Sequence, residues 1–207
     1  SQGQRLPYID QVMYVIVQNQ DMSILKFLEG ETDYCGVRGK DYPLLKSLEA
    51  ARDFTIYQSG PNFGNQFLVF NLNADINPET KKPYADPVKL AWFNNRNFRR
   101  AVAHAIDREK INEILYNGLG FIQNSAMSPS SGYFYNPHVR RYDYDLAQAK
   151  RILKEAGFTD RDGDGWLEDP SGRRVEFNLY TNADNPERVQ IAAMIRHDLE
   201  QLGMKVN

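Results

Sequence analysis

Hydrophobic positions along this chain change period several times, and each change predicts an element. Residues 12–18 (VMYVIVQ) are rich in β-branched residues and predict a strand. A helix follows over residues 22–29, with Asp21 or Ser23 as N-cap and Gly30 beyond its end. Residues 42–52 predict a second helix, with Asp41 as cap and Pro43 in the first turn. FTIYQ, residues 54–58, predicts a short strand, and the turn-rich GPNFGN comes after it. Residues 66–73 (QFLVFNLN) are apolar on both faces and predict a central strand.

The second half is mostly helical in period. Residues 74–87 are polar, carry three prolines and predict a loop or insertion. The aromatic stretch LAWFNN leads into a helix that Asn97 can cap, with Phe98, Ala101, Val102 and Ala105 as its apolar stripe. Asp107 can cap the next helix, which turns Ile111, Ile114 and Leu115 inward and stops at Gly118. After an irregular aromatic segment, Asp145 starts a helix with the stripe Leu146, Ala149, Ile152, Leu153 and Ala156, ended by Gly157. VEFNLY, residues 175–180, alternates as a strand does, and Asn185-Pro186 opens a last helix. Strands and helices are mixed, so the fold class is α/β or α+β, with one domain expected over residues 1–207.

Composition narrows the function less than the pattern narrows the fold. In 207 residues, 25 basic against 27 acidic side chains leave a formal charge of -2, which supplies no electrostatic case for nucleic acid as a partner. The longest apolar run, VMYVIV, is far below the roughly 20 residues of a membrane span. The one cysteine, Cys35, excludes an intramolecular disulfide, and TDYCGVRG places no base beside it, so a buried thiol is expected. The chain opens SQGQRLPYID without an initiator methionine or signal peptide, and LGMKVN breaks off as a strand begins. A piece of a longer protein is the expectation.

Candidate chemistry is sparse. His104, His138 and His197 have neither the spacing of a zinc site nor paired acids beside them. No G-x-S-x-G elbow is present, and Ser125, Ser128, Ser130 and Ser131 fall in an irregular loop. GPNFG precedes a strand, the wrong order for a phosphate loop. An enzyme is therefore not expected. Arg99 and Arg100 stand at a helix start, where positive charge is mildly unfavourable, so a structural pairing is expected to offset it. Two aromatic segments, GNQFLVFNLN and SGYFYNPH, set Phe67, Phe70, Tyr133, Phe134 and Tyr135 among amides and glycines, a composition that suits core packing in a strand and a ligand or peptide surface in a loop.

DRDGDGWLED, residues 160–169, invites comparison with a calcium loop. Counted from Asp160, Asp162 and Asp164 take positions 3 and 5, Gly165 position 6, Trp166 offers a carbonyl at 7, and Glu168 stands at 9. Position 12 is Ser171 rather than the bidentate glutamate, and a strand rather than a helix follows. Calcium is permitted there and not required.

Several phrases together resemble the bacterial extracytoplasmic solute-binding proteins of family 5, the peptide-, dipeptide- and nickel-type binding components of ABC transporters. LKFLEGETDY, FLVFNLN, NRNFRRAVAHAIDREKINEILYNGLG, YDYDLAQAKRILKEAGF and GDGWLEDPSGRRVEFNLYTN follow the family's motifs in order, with Arg99, Ala101, Ala105, Asp107, Arg108 and Gly118 in register. The resemblance implies two α/β lobes of the type II periplasmic-binding-protein kind closing around a ligand, this chain supplying most of the second lobe. It implies capture of a peptide or other small solute, delivery to a membrane permease, and a periplasmic or extracytoplasmic place, lipid-anchored in the full-length protein if at all. Arg99 and Asp107 are expected to be structural. Asn65, Gln66, Phe67, Phe70, Asn71 and Tyr133 are the expected ligand-facing residues, with no cofactor required. The alternative is a calcium-binding module built on Asp160, Asp162, Asp164, Trp166 and Glu168.

Overall fold

The computed structural model describes residues 6–207 and is a mixed α/β fold. Where one domain was expected, the chain divides into two compact units, one running to Tyr57 and the other Gln58–Asn207.

In the first unit, α1 (Gln20–Leu28) and α2 (Tyr42–Leu48) bury Ile24 and Leu45. Phe27 meets Phe54 edge to face at 5.1 Å between ring centroids. The cap of α1 is Asn19, whose side chain accepts from Met22 N at 3.0 Å, and not Asp21 or Ser23. Asp21 instead pairs with Arg38, whose guanidinium also engages Asp41. That pairing explains a second difference, since Asp41 precedes α2 without capping it through its side chain. α2 also stops at Leu48, short of Arg52.

Neither expected strand of this unit forms. Residues 12–17 and 54–57 lie outside regular structure, with Met13, Tyr14 and Ile16 strongly exposed. β-branched and aromatic residues favour a strand through packing and ladder partners, and these segments have no paired neighbour among the described residues.

The second unit is built around five helices: α3 (Pro87–Asn94), α4 (Arg96–Ala105), α5 (Arg108–Tyr116), α6 (Leu146–Glu155) and α7 (Pro186–Glu200). LAWFNN falls mainly within α3, which Asp86 caps through Val88 N and Lys89 N ahead of Pro87. Asn95, not Asn97, then caps α4 by accepting from Asn97 N and Phe98 N. Asp107, Asp145 and Asn185 cap α5, α6 and α7 where the pattern places them. The chain leaves α6 through Gly157 with φ 84°.

The core joins the stripes of α4 and α6, which pack along each other. Phe98 is fully buried and its ring meets Phe158 at 5.3 Å, Phe177 at 6.3 Å and Phe70 at 6.4 Å. α7 lays Ile195 and Leu199 on this core, whereas Val189 is exposed. Residues 175–180 shorten to β1 (Glu176–Phe177), which pairs parallel with β2 (Lys205–Val206). Bonds from Lys205 N to Val175 O and from Leu179 N to Asn207 O extend the ladder. β1, α7 and β2 thus form a strand–helix–strand crossover, the connection parallel pairing requires.

Of the paired arginines, Arg100 donates to Asn97 Oδ1 at 3.4 Å within α4, and Arg99 finds a partner of an unexpected type. Arg99 donates to the Phe93 carbonyl near the end of α3. A cation at the C-terminal end of one helix offsets its poor position at the start of the next. Arg108 donates to the carbonyls of Ala103 (2.9 Å), Ile106 (3.4 Å) and Tyr142 (3.3 Å), while Asp107 N donates to the buried Asp198 at 3.1 Å. These bonds fix the turn between α4 and α5 against α7 and the segment leading into α6.

Trp92 makes a long-range polar contact within the core, to a residue 77 positions away. Its Nε1 donates to Asp169 Oδ2 at 2.9 Å, and Asp169 Oδ1 accepts from Ser171 N and Arg173 N. Burial works to raise the Asp169 carboxyl, but the Trp92 bond, the two backbone donors and the Arg173 charge outweigh it and hold it below the usual carboxylate range.

Candidate functional site

Residues 66–73 form no strand. Leu68 and Phe70 pack on the core, with Phe70 5.2 Å from Phe93, while Phe67 and Val69 point to solvent at 75% and 71% exposure. From Phe67 to Phe70 the side chains alternate between solvent and core. It ends in successive side-chain turns, Asn71 Oδ1 accepting from Asn73 N and Asn73 Oδ1 from Asp75 N.

Its entrance is tied to the irregular loop that follows α5. Ser128 Oγ donates to Asn62 O at 2.7 Å, Ser130 Oγ donates to Pro61 O, and Asn65 Nδ2 donates to Ala126 O at 3.3 Å. Ser128 is buried, and it and Ser130 hold the loop to GPNFGN. The loop continues into a 3-10 turn whose Tyr133 is 96% exposed and lies edge-on to Phe134, itself 71% exposed. Phe63 and Phe67 are exposed on the other tied segment. Asn65, Gln66, Phe67 and Tyr133 therefore belong to two surface segments held together by hydrogen bonds, whereas Phe70 faces the core and Asn71 closes a turn.

Gln66 enters a network that no sequence spacing signals. Its Nε2 donates to Glu187 Oε1 at 3.3 Å, and its Oε1 accepts from Arg188 Nε at 3.2 Å. Tyr116 OH donates to the same Glu187 oxygen at 2.6 Å, and Arg188 also holds Asn182 Oδ1 at 3.1 Å. Burial, then the Glu187 carboxylate, push the Tyr116 phenol up, so it stays a donor. The first turn of α7 thus orients Gln66 from 121 positions away. The network holds the side-chain amide of Gln66 in place at both its oxygen and its nitrogen.

The other candidates take no part in these hydrogen bonds. His104 Nδ1 sits 2.8 Å from Asp143 O with its ring against Tyr142. Burial, with Asp41 nearby, pushes the Cys35 thiol up, which makes it a poorer nucleophile. Asp160, Asp162, Asp164 and Glu168 do come together in the loop between α6 and β1. Trp166 lies beside them, half-buried, its N donating to Asp164 Oδ1 at 2.9 Å.

Comparison with known proteins agrees with this architecture. Residues 2–207 match the family described as bacterial extracellular solute-binding proteins, family 5 Middle. The chain is 27% identical over its whole length to a probable ABC transporter-binding protein of Deinococcus radiodurans, of which it covers 34%. It is 27% identical, over 97% of its length, to the oligopeptide-binding protein AppA of Bacillus subtilis, covering 33% of it. The AppA structure in complex with a nonapeptide superposes with a TM-score of 0.62 at 25% identity, across 93% of this chain and 34% of AppA. A periplasmic alpha-galactoside-binding protein of Rhizobium meliloti is 27% identical over 99% of this chain and 30% of its own. The chain spans about a third of the length of the curated relatives it matches. With its sequence matched from end to end and its fold shared with AppA, the chain belongs to the family 5 bacterial extracellular solute-binding proteins.

Proposed function

We propose that this chain is part of the substrate-binding component of an ABC transporter, one that takes an oligopeptide or another small solute between two lobes and delivers it to a membrane permease. The observation that carries the reading is the surface of exposed aromatics and oriented amides built from residues 61–67 and 126–134. Amide groups match the donors and acceptors of a peptide backbone, and aromatic faces cover its apolar side chains or the faces of a sugar. The names of the relatives span both chemistries, an oligopeptide for AppA and an alpha-galactoside for the Rhizobium protein. Closure around the ligand would follow from its tighter binding to the closed arrangement than to the open one. The protein would work outside the cytoplasmic membrane, with lipid anchoring keeping it close to its permease.

A thermal-shift screen of the full-length product against peptides, oligosaccharides, haem and chelated nickel tests this reading. Binding of one class at 100 times its Kd should stabilise the protein by about 2.7 kcal/mol. A full-length product that none of these classes stabilises would contradict it.

A further inference from the structure

The loop between α6 and β1 brings four carboxylates to one place. One oxygen each from Asp160, Asp162, Asp164 and Glu168 lies within 4.8 Å of the others. Oxygens on opposite sides of a calcium ion stand about 4.8 Å apart, twice a Ca–O distance of about 2.4 Å. Around magnesium the same oxygens would have to close to about 4.2 Å. Acidic turns are common without an ion, and the three aspartates are exposed, so they establish nothing alone.

Glu168 sets this turn apart. It is 7% exposed, and its Oε1 is buried without a hydrogen-bond partner. Its Oε2 accepts from Arg161 N at 2.8 Å. A buried carboxylate oxygen without a donor is costly, and this carboxylate also faces three others of the same charge. Arg174 pairs with Asp164, and the Arg161 side chain is directed to Thr159 Oγ1 and to the carbonyls of Gly157 and Pro170. Neither contact serves Glu168 Oε1. A divalent cation would supply the missing partner and the missing charge together.

We propose that Asp160, Asp162, Asp164 and Glu168 bind a calcium ion that staples this loop to the core of the second unit. The backbone around Glu168 is already wired inward. Glu168 exchanges hydrogen bonds with Thr159, four residues beyond α6, and the neighbouring Leu167 N donates to Gly203 O at 2.7 Å. Leu167 O accepts from Val175 N ahead of β1. An ion at the four carboxylates therefore links the exposed tip of the loop to α6, β1 and the turn before β2. The arrangement departs from the helix–loop–helix calcium site, because its buried glutamate stands at loop position 9 rather than 12 and the chain leaves as a strand. Without a bidentate glutamate at the usual place, the affinity belongs near the weak, extracellular end of the range, a Kd of about 10⁻⁴–10⁻³ M.

The site is independent of the transport reading and is tested without any transported ligand. Protein stripped with EDTA is melted over calcium or magnesium chloride from zero to about 10 mM, at constant ionic strength. Terbium bound at the loop is followed in parallel by luminescence excited through Trp166. Calcium should raise the melting temperature in a saturable way, with magnesium much weaker. Asp162→Asn retains an acceptor for Asp164 N and removes one ligand charge. It should weaken calcium and terbium at least tenfold while leaving the stripped protein's melting temperature unchanged or higher. Glu168→Gln should do the same to the binding. No rise with calcium, an equal rise with magnesium, or a calcium response that both variants leave intact would overturn the proposal.

Discussion

Replacing Trp92 with phenylalanine removes one donor from a buried carboxylate and leaves most of the aromatic packing in place. Trp92 is 5% exposed and Asp169 3% exposed, and Trp92 Nε1 donates to Asp169 Oδ2 at 2.9 Å. A hydrogen bond to a charged group is worth about 1.5–3 kcal/mol. The missing half of the indole adds a cavity cost of about 1 kcal/mol. Trp92→Phe should therefore destabilise the second unit by about 2.5–4 kcal/mol at neutral pH. Urea unfolding followed by the fluorescence of Trp166 reads this directly in the variant, and a double-mutant cycle with Asp169→Asn separates the bond from the cavity. The pH dependence has a definite sign. Asp169 is held below its ordinary value in the folded chain, so its contribution is present above the unfolded carboxylate pKa and is lost as pH falls through the folded one. The Trp92–Asp169 coupling should shrink over the same acid range. A coupling energy near zero at pH 7, or one that does not change on acidification, would refute the assignment of the depressed carboxyl to this bond.

Two further substitutions probe the same unit. Burial raises the Asp198 carboxyl against the Asp107 N–H that lowers it, and the nearby Asp107 carboxylate adds to the rise. A raised acid contributes stability below the unfolded pKa that is lost as pH rises through the folded one, so Asp198→Asn should raise the melting temperature at pH 7 and flatten the gain on mild acidification. Gly203 has φ 86°, and a Cβ there would stand 3.0 Å from Gly165 O and 3.2 Å from Leu167 Cγ. Gly203→Ala should therefore destabilise by about 1–3 kcal/mol in urea titration, the scale of a strained left-handed residue.

The helices of the second unit were legible because two local signals coincide in each. Asp107, Asp145 and Asn185 are caps, and the stripes of α4 and α6 have the helical period that the core then buries. α3 carried its own signature, Asp86 before Pro87, which the aromatic run that follows obscured. Strands were read less well because strand formation depends on a partner. Residues 12–18 and 66–73 have the composition of strands but find no ladder among the described residues, whereas β1 survives because β2 lies beside it. The acidic cluster was visible as a local motif, but the burial of Glu168 that gives it meaning was not. Asn65, Gln66, Phe67 and Tyr133 were picked out by composition. The Tyr116–Glu187–Arg188 network that orients Gln66 joins residues 71 and more positions apart, and no sequence period encodes that.

The central claim is that residues 61–67 and 126–134 present a ligand-binding surface. Calorimetric titration of the full-length product, with the solute that most raises its melting temperature, tests it most directly. Phe67 and Tyr133 stand 75% and 96% exposed, so alanine at either should leave unliganded stability unchanged. Each ring covered by ligand should contribute at least about 1.4 kcal/mol, a tenfold loss of affinity on its removal. Wild-type affinity in both Phe67→Ala and Tyr133→Ala would contradict the claim.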